Sequence, residues 1–499
     1  MTPMPRPTDT FGEIPALVVG AGPAGLAAAI ELARHDVPVL LVERRTVLSS
    51  HPRATVLSLR SMELMRGWGL EKEVRDRSAD VDWRILEAET LLDVASGAAV
   101  PTGYPSPAQS RVLSPVEPAC VAQDDVEPLL LAQLRDRPSA RVELGWELAG
   151  VRVGPAGARA ALRHVGTGAT RTVQARYVVA ADGARSAVRR ALGLALHGEE
   201  DVMTGVTTLV HAPLWDVVGP HRHVLYSVTR AESPSIFLPT GASDRWLFAS
   251  RTDGAGTLGE RRTAELVRLG AGVPGLPVTV GRSRSWSSAA QVAERFRSGP
   301  VFLAGDAAHR VTPRGGTGLN LALHDGYDLG WKLAWVVRGW AGAALLDTYE
   351  AERRPVAEHT VARSADPNGS VRPPEQEVHV DLGGRIAHAW SGSRSTLDLL
   401  GSGLTLFAGD DGSDWDAATA SLTARVPVDL RRVDVVAARA VGVVGRSAVL
   451  VRPDGKPAAV LGPGADPVQA LRTAVAVTTA RTPMARSAEP TARAVRQAS

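Results

Sequence analysis

Three clusters of glycine and acid mark the places where this 499-residue chain could do chemistry. Gly20, Gly22 and Gly25 (GAGPAG) follow the apolar run 16–19 and open an alanine-rich stretch of helical character at 26–34. Asp182 and Gly183 close the apolar run 177–181, with Ser186 and Arg189 just beyond on a short helix. Gly305 and Asp306 follow the run 301–304, and Pro313, Gly315, Gly316, Gly318 and Asn320 then lead into a long helix. Glycine gathered at strand ends means that backbone must approach something closely or take a conformation closed to other residues.

The first cluster has a specific physical reading. Gly20 allows a tight turn, Gly22 lets the backbone approach a pyrophosphate, and Gly25 lets the helix pack on the strand. The helix N-terminus presents unpaired N–H groups and a positive dipole end to the phosphates. A second strand at 37–42 ends in Glu43, roughly twenty residues on, where a carboxylate accepts hydrogen bonds from ribose hydroxyls and disfavours a phosphorylated ribose. The order of strand, glycines, helix, strand and acid reads as dinucleotide binding, without separating NAD from FAD.

The elements that must position these clusters belong to a large α/β chain. Its length calls for roughly two or three domains. Hydrophobic residues make up 44% and charged residues 22%, so a folded globular chain is expected. A net charge of +3 and the lack of a dense Lys/Arg run argue against nucleic acid. The single cysteine, Cys120, excludes an internal disulfide framework and a cysteine-cluster metal site, and no metal is expected. The first fifteen residues lack the pattern of a secretory signal and no apolar segment is long enough to span a membrane, so a cytoplasmic protein without a membrane partner is expected.

Together the three motifs closely resemble those of the FAD-dependent aromatic hydroxylases, the single-component flavoprotein monooxygenases typified by para-hydroxybenzoate hydroxylase. The resemblance covers roughly residues 14 to 360, and the chain looks most like the longer bacterial branch acting on aromatic polyketides. It implies a Rossmann-like (GR2-type) FAD-binding domain of the α/β class, an inserted antiparallel-sheet substrate domain and a C-terminal thioredoxin-like domain. The implied division is 14–80, 119–198 and 291–370 for FAD binding, 81–118 and 199–290 for substrate, 371–479 for the thioredoxin-like domain and 480–499 as a tail. The last domain cannot be redox-active, because Cys120 lies elsewhere and no Cys-x-x-Cys is present.

The same resemblance implies the cofactor contacts. Gly20, Gly22, Pro23, Ala24 and Gly25 would hold the FAD pyrophosphate, and Glu43 with Arg44 the adenosine side. Arg53 would face the phosphates, and Gln123 would lie near the flavin at a helix start. Asp182 and Gly183 would touch FAD and the route of the nicotinamide. Gly305 and Asp306 would hold the ribityl chain, Pro313 would lie by the flavin ring, and Gly316, Thr317, Gly318, Leu319 and Asn320 would bring dipoles to its edge. Thr317, where many relatives have glutamine, and the run 321–326 depart from the usual pattern.

The implied activity is NADPH- or NADH-dependent hydroxylation of an aromatic substrate with O2, through a flavin hydroperoxide, by a monomer or homodimer in antibiotic biosynthesis. Alternatives are Baeyer-Villiger or epoxidising chemistry, a non-redox cyclase on a flavoprotein scaffold, or a regulatory binding protein. In the region 200–290, alternating runs read as strands, and His221, His223, Tyr226 and Arg230 are candidate substrate contacts. Trp331, Leu333, Trp335 and Val336 have the helical spacing of core residues. The FAD region is expected to close at the run 352–355, whose role would be packing.

Overall fold

The computed structural model describes residues 11–250, 259–410, 414–462 and 466–480; the expected tail, from 481 on, lies outside them. Five parallel strands carry the glycine motifs, in the sheet order Val301–Leu303, Thr170–Ala180, Phe11–Val19, Val39–Glu43 and Ala140–Leu144. The central residues of the first four are apolar and buried, as strands covered on both faces require, whereas the edge strand Ala140–Leu144 is only partly buried. Register brings Val19 level with Ala180 and Val42, and Ala180 level with Leu303. All three glycine motifs therefore leave the same carboxyl edge of one sheet, where ligands of open parallel sheets bind.

Five helices matter for that edge: α1 (Pro23–Arg34), α2 (Gln123–Arg135), α3 (Gly318–Val337), α4 (Asp347–Ala365) and α5 (Pro374–Leu382). α1 and α3 pack side by side because α3 offers glycine where they meet. A Cβ on Gly326 would lie 2.1 Å from the Ala24 carbonyl oxygen, and one on Gly330 would lie 2.9 Å from that of Ala28. The matching four-residue steps make the two helices parallel. Trp331, Leu333, Trp335 and Val336 are all buried in the core.

Helix α4 corrects the expected closure at 352–355, because it runs through Pro355 to Ala365. Its buried positions, Tyr349, Arg353, Ala357, Thr360 and Arg363, keep helical spacing across the proline. Packing of that continuous face outweighs the one hydrogen bond that proline removes.

The second sheet has eight strands, in the order His309–Arg310, Thr279–Ala293, Leu196–His211, Arg245–Ser250, Ser235–Pro239, His223–Val228, Asp82–Ala88 and Ala98–Pro101. It is antiparallel except where His223–Val228 meets Asp82–Ala88, a strand contributed by a distant stretch of chain and so free of any hairpin constraint. Leu196–His211 and Thr279–Ala293 pair with one another in this sheet and extend through positions 198 and 290. Two helices, Leu214–Val218 and Glu260–Ala271, also lie within this region.

The C-terminal sheet has the order Val428–Arg432, Leu404–Ala408, Ala448–Val451, Pro457–Leu461. Its first pair is parallel and the others antiparallel, with helices Asp414–Ala420, Val435–Ala440 and Pro467–Thr478 between and after the strands. This is the connectivity of a thioredoxin-like domain.

Ions join that domain to α3 and α4. Fully buried Lys332 lies 2.7 Å from Asp328 and 3.5 Å from Glu352. Arg452 grips both oxygens of Glu352 at 2.7 Å and pairs with Asp454, while Lys456 reaches Glu352 at 2.8 Å. The carboxylates of Asp328, Glu352 and Asp454 converge within 4.8 Å, but this is an ionic cluster, with three cations neutralising three acids. Arg60 and Tyr327 extend the joint by donating to the carbonyls of Asp454 and Pro453 at 2.7 and 2.9 Å.

Candidate functional site

The cradle begins where α1 starts. Gly20, at φ +108°, packs so tightly that a Cβ would lie 2.2 Å from the Ala181 carbonyl oxygen, and one on Gly25 would lie 2.0 Å from that of Gly20. These two glycines are demanded by the protein itself. Gly22 differs, since a Cβ there would meet nothing within 4 Å. Gly22 is the N-cap of α1 and makes no side-chain cap, Pro23 follows, and Ala24 is buried against the Gly305 turn. The orphan N–H groups at this helix start thus face space that a phosphate fits.

Glu43 is buried and holds the turn from below, accepting the N–H groups of Ala21 and Arg45 at 2.9 Å each. Arg44, next to it, is exposed. Arg53 lies half-exposed, 4.0 Å from Glu127. Gln123, at the first position of α2, donates to that same Glu127 at 2.6 Å. Burial raises the Glu127 carboxyl, while Gln123 and Arg53 partly oppose the shift. Sequence reasoning missed Glu127; the signal was its spacing of four from Gln123 on one helix face.

Asp182 caps a short helix, its Oδ2 accepting the N–H groups of Ala187 and Val188 at 2.6 and 3.1 Å. Among the described residues its buried Oδ1 has no hydrogen-bond partner, and beside it Gly183, at φ +82°, leaves open space. An orphaned acceptor next to an open glycine fits a ligand that carries hydroxyl or amide donors.

In the third motif Gly305 turns at φ +60° and its N–H donates to Asp325 at 3.1 Å. Asp306 consequently points outward, exposed. Asp325, fully buried, also accepts from His309 at 2.6 Å and from Arg353 at 2.8 Å. Burial alone would raise its carboxyl, but Arg353 and His309 outweigh it and hold the group at about 2. The pair Asp325 and Arg353 locks the turn, a role invisible in the sequence because 28 residues separate them.

The loop beyond hangs from α4. Thr312 and Arg314 bond the carbonyl of Ser364, Arg314 also that of Ala365, and Pro313 is left exposed. Gly315 and Gly316 turn at φ +78° and +63°. Thr317 precedes α3 without capping it, and its buried hydroxyl finds no protein partner. Gly318 packs on Val311 and Leu319 is buried. The Asn320 amide works within the protein, accepting from Ser58 N–H at 2.8 Å and donating toward Val56, Tyr104 and Gly316.

Tyr104, also missed by sequence reasoning, donates its hydroxyl to Gly316 at 3.1 Å and packs against Trp83. It follows the last strand of the second sheet, whereas His309–Arg310, the strand at the opposite edge, runs straight into the loop. Both edges of that sheet thus meet at residues 311–317. His223 and Tyr226 sit elsewhere, in a buried aromatic group with Trp215 and Trp246. The Tyr226 hydroxyl is engaged, donating to the His221 carbonyl and accepting from the His223 N–H at 2.9 Å each. Arg230 pairs with Glu232 at 3.3 Å.

Parallel packing of α1 and α3 fixes how the two helix starts relate. Ala24 meets Gly326, so α3 begins about two turns, roughly 12 Å, before α1 along their common direction. Two positive helix ends at that offset, joined by the open Gly22 and the orphaned Asp182, suit an elongated ligand with phosphates at one end and an electron-accepting ring at the other. The residues present fit FAD.

Comparison with known proteins agrees. Residues 13–364 match the family model described as FAD binding domain. The chain is 33% identical to tetracenomycin A2 monooxygenase-dioxygenase of Streptomyces glaucescens, over 89% of this chain and 92% of that one. It is 35% identical to an aklavinone 12-hydroxylase of Streptomyces purpurascens, over 89% and 94%. Among solved structures, aklavinone-11 hydroxylase with FAD and aklavinone superposes with a TM-score of 0.81 at 33% identity, covering 94% of this chain and 99% of that one. The flavin-dependent monooxygenase PieE, in complex with FAD and substrate, gives 0.84 at 26% identity, covering 94% and 100%.

Proposed function

The chain belongs to the FAD binding domain family and is an FAD-dependent aromatic monooxygenase of secondary metabolism, and from that premise we propose that its substrate is a polycyclic aromatic polyketide. The observation that carries this reading is the shared sheet edge: three glycine-marked turns leave it, and the starts of the parallel helices α1 and α3 stand beside them. Bound FAD supplies hydride acceptance from NAD(P)H and activation of O2. The chain's own residues do the rest.

Gly22 and the start of α1 hold the phosphates, with Arg53 as a side-chain cation facing them. Asp182 Oδ1 accepts from the cofactor's donors. The uncapped start of α3 directs N–H dipoles at the place where negative charge gathers, an electrostatic stabilisation set in advance. The Asp325 and Arg353 pair keeps the Gly305 turn from drifting. The second sheet, meeting the loop 311–317 at both edges with Tyr104 and Trp83 beside it, orients the aromatic substrate and excludes water. The chain acts as a monomer or homodimer in the cytoplasm; among the described residues no helix is long and apolar enough to cross a membrane.

The test is anaerobic mixing of the purified yellow protein with NADPH or NADH, alone and with a panel of polycyclic phenols, followed by flavin absorbance and product mass. Bleaching accelerated by one phenol, and a product heavier by one oxygen on admitting O2, is the expected result. A protein that bleaches but adds oxygen to none of the polycyclic phenols and accepts a monocyclic one overturns the proposed substrate class.

A further inference from the structure

Arg363 is a buried cation that the reading above does not use. It is 7% exposed and lies near the end of α4, beneath the loop that precedes α3. Three separate segments meet on it. Its Nε donates to the Gly369 carbonyl at 2.9 Å, its Nη2 to the Thr102 carbonyl at 2.7 Å, and its Nη1 pairs with Glu377 of α5 at 3.0 Å. Gly315 lies directly against the guanidinium: a Cβ there would be 2.9 Å from both Cζ and Nε. Gly103 is as close, its Cβ position being 2.9 Å from Nη2.

Glycine at 315 and 103 thus lets two backbone segments press on one charged group. The Thr102 segment leads to Tyr104, whose hydroxyl grips Gly316 from the other side. Residues 315–316 are held between Arg363 and Tyr104. The neighbouring cation, Arg314, bonds the carbonyls of Ser364 and Ala365 at the end of α4. Among the described residues Glu377 is the only carboxylate paired with Arg363, and His359 lies 3.2 Å from that same acid.

We propose that Arg363 is an electrostatic positioning residue for the flavin: it fixes the 315–316 turn and places a buried positive charge, tempered by Glu377, under the part of the loop that faces the electron-accepting ring. The proposal rests on the reading that this loop meets the FAD. A buried cation favours the reduced, more negative form of a group above it, because the low local dielectric leaves the interaction weakly screened. Glu377 opposes that field. Removing the cation and removing the anion must therefore move the flavin's midpoint potential in opposite directions, which a purely structural role does not do.

The experiment uses the full-length holoprotein with Arg363→Met, Arg363→Lys and Glu377→Gln, measuring midpoint potential by dye-coupled reduction and FAD dissociation by fluorescence of the released flavin. Met at 363 is expected to lower the potential and weaken FAD binding about tenfold, the scale of losing charged hydrogen bonds that hold the turn. Lys at 363 restores most of the potential but not the affinity, because an ammonium keeps the charge without the planar fork. Gln at 377 raises the potential. Should the Met variant fail to fold, the Lys and Gln variants still decide. Unchanged potentials in both the Met and Gln variants, or shifts of the same sign, overturn the proposal. Failure of the wild-type protein to hold FAD overturns instead the reading on which it rests.

Discussion

Replacing Asp325 with asparagine removes the charge that joins the Gly305 turn, His309 and Arg353. The carboxyl lies at about 2 against an ordinary 3.8, so its ionisation contributes roughly 2.5 kcal/mol of folding stability at neutral pH. Asparagine also leaves Arg353 buried without its counter-charge, a loss whose usual range is about 3–5 kcal/mol. Both losses stem from the same charge and do not add; a deficit near 3 kcal/mol lowers the melting temperature by about 4 °C for a unit of roughly 350 residues. Because the folded value is depressed, the stabilisation is complete well above pH 4 and fades as pH falls toward 2, with roughly half remaining at pH 3. Thermal melts of both proteins from pH 7 to pH 3 measure this directly, and FAD release adds a second readout, since Gly305 N–H loses its acceptor. A variant melting within a degree of wild type at pH 7, or a deficit that does not shrink by pH 3, refutes the argument.

Gly22→Val should give a folded protein, by circular dichroism, that no longer retains FAD, whereas Gly25→Val should fail to fold, because its side chain meets the Gly20 carbonyl at 2.0 Å rather than open space. Asp381, held at about 6 by burial, is raised, so its ionisation costs stability as pH climbs from about 4 through 6; Asp381→Asn should melt higher than wild type above pH 6 and alike below pH 4, and an equal offset at both ends would contradict this.

Glycine made the cofactor edge legible in the sequence, because only a small set of physical demands explains three glycines at a strand end. Those demands proved to be of two kinds. Gly20 and Gly25 answer contacts inside the protein, and Gly22 faces outward, a distinction that spacing cannot draw. The strands of that edge followed from apolar runs bounded by these turns, while their pairing order appears only in the fold. Asp325, Arg353 and Arg363 did not, because a buried ion pair between distant residues has no local signature, and in composition a buried arginine looks like a surface one. Gly326 and Gly330 carried a readable four-residue step whose meaning appears only once α1 lies against it. Tyr226 looked like a polar strand residue, yet its ring belongs to an aromatic core and its hydroxyl to the chain beside it.

The ionic joint between α3, α4 and the thioredoxin-like domain bears on the order in which the chain can mature. Lys332, fully buried on α3, rests on Asp328 and on Glu352, and Glu352 is gripped by Arg452 and Lys456. During synthesis, more than a hundred residues emerge between Lys332 and the strand that brings Arg452. Until then the cluster holds two acids and one cation, an imbalance that pulls water into the flank of α3. The C-terminal domain, whose residues include no cysteine, thus works as a late fastener: the flank of α3 is sealed only once Arg452 and Lys456 have been made.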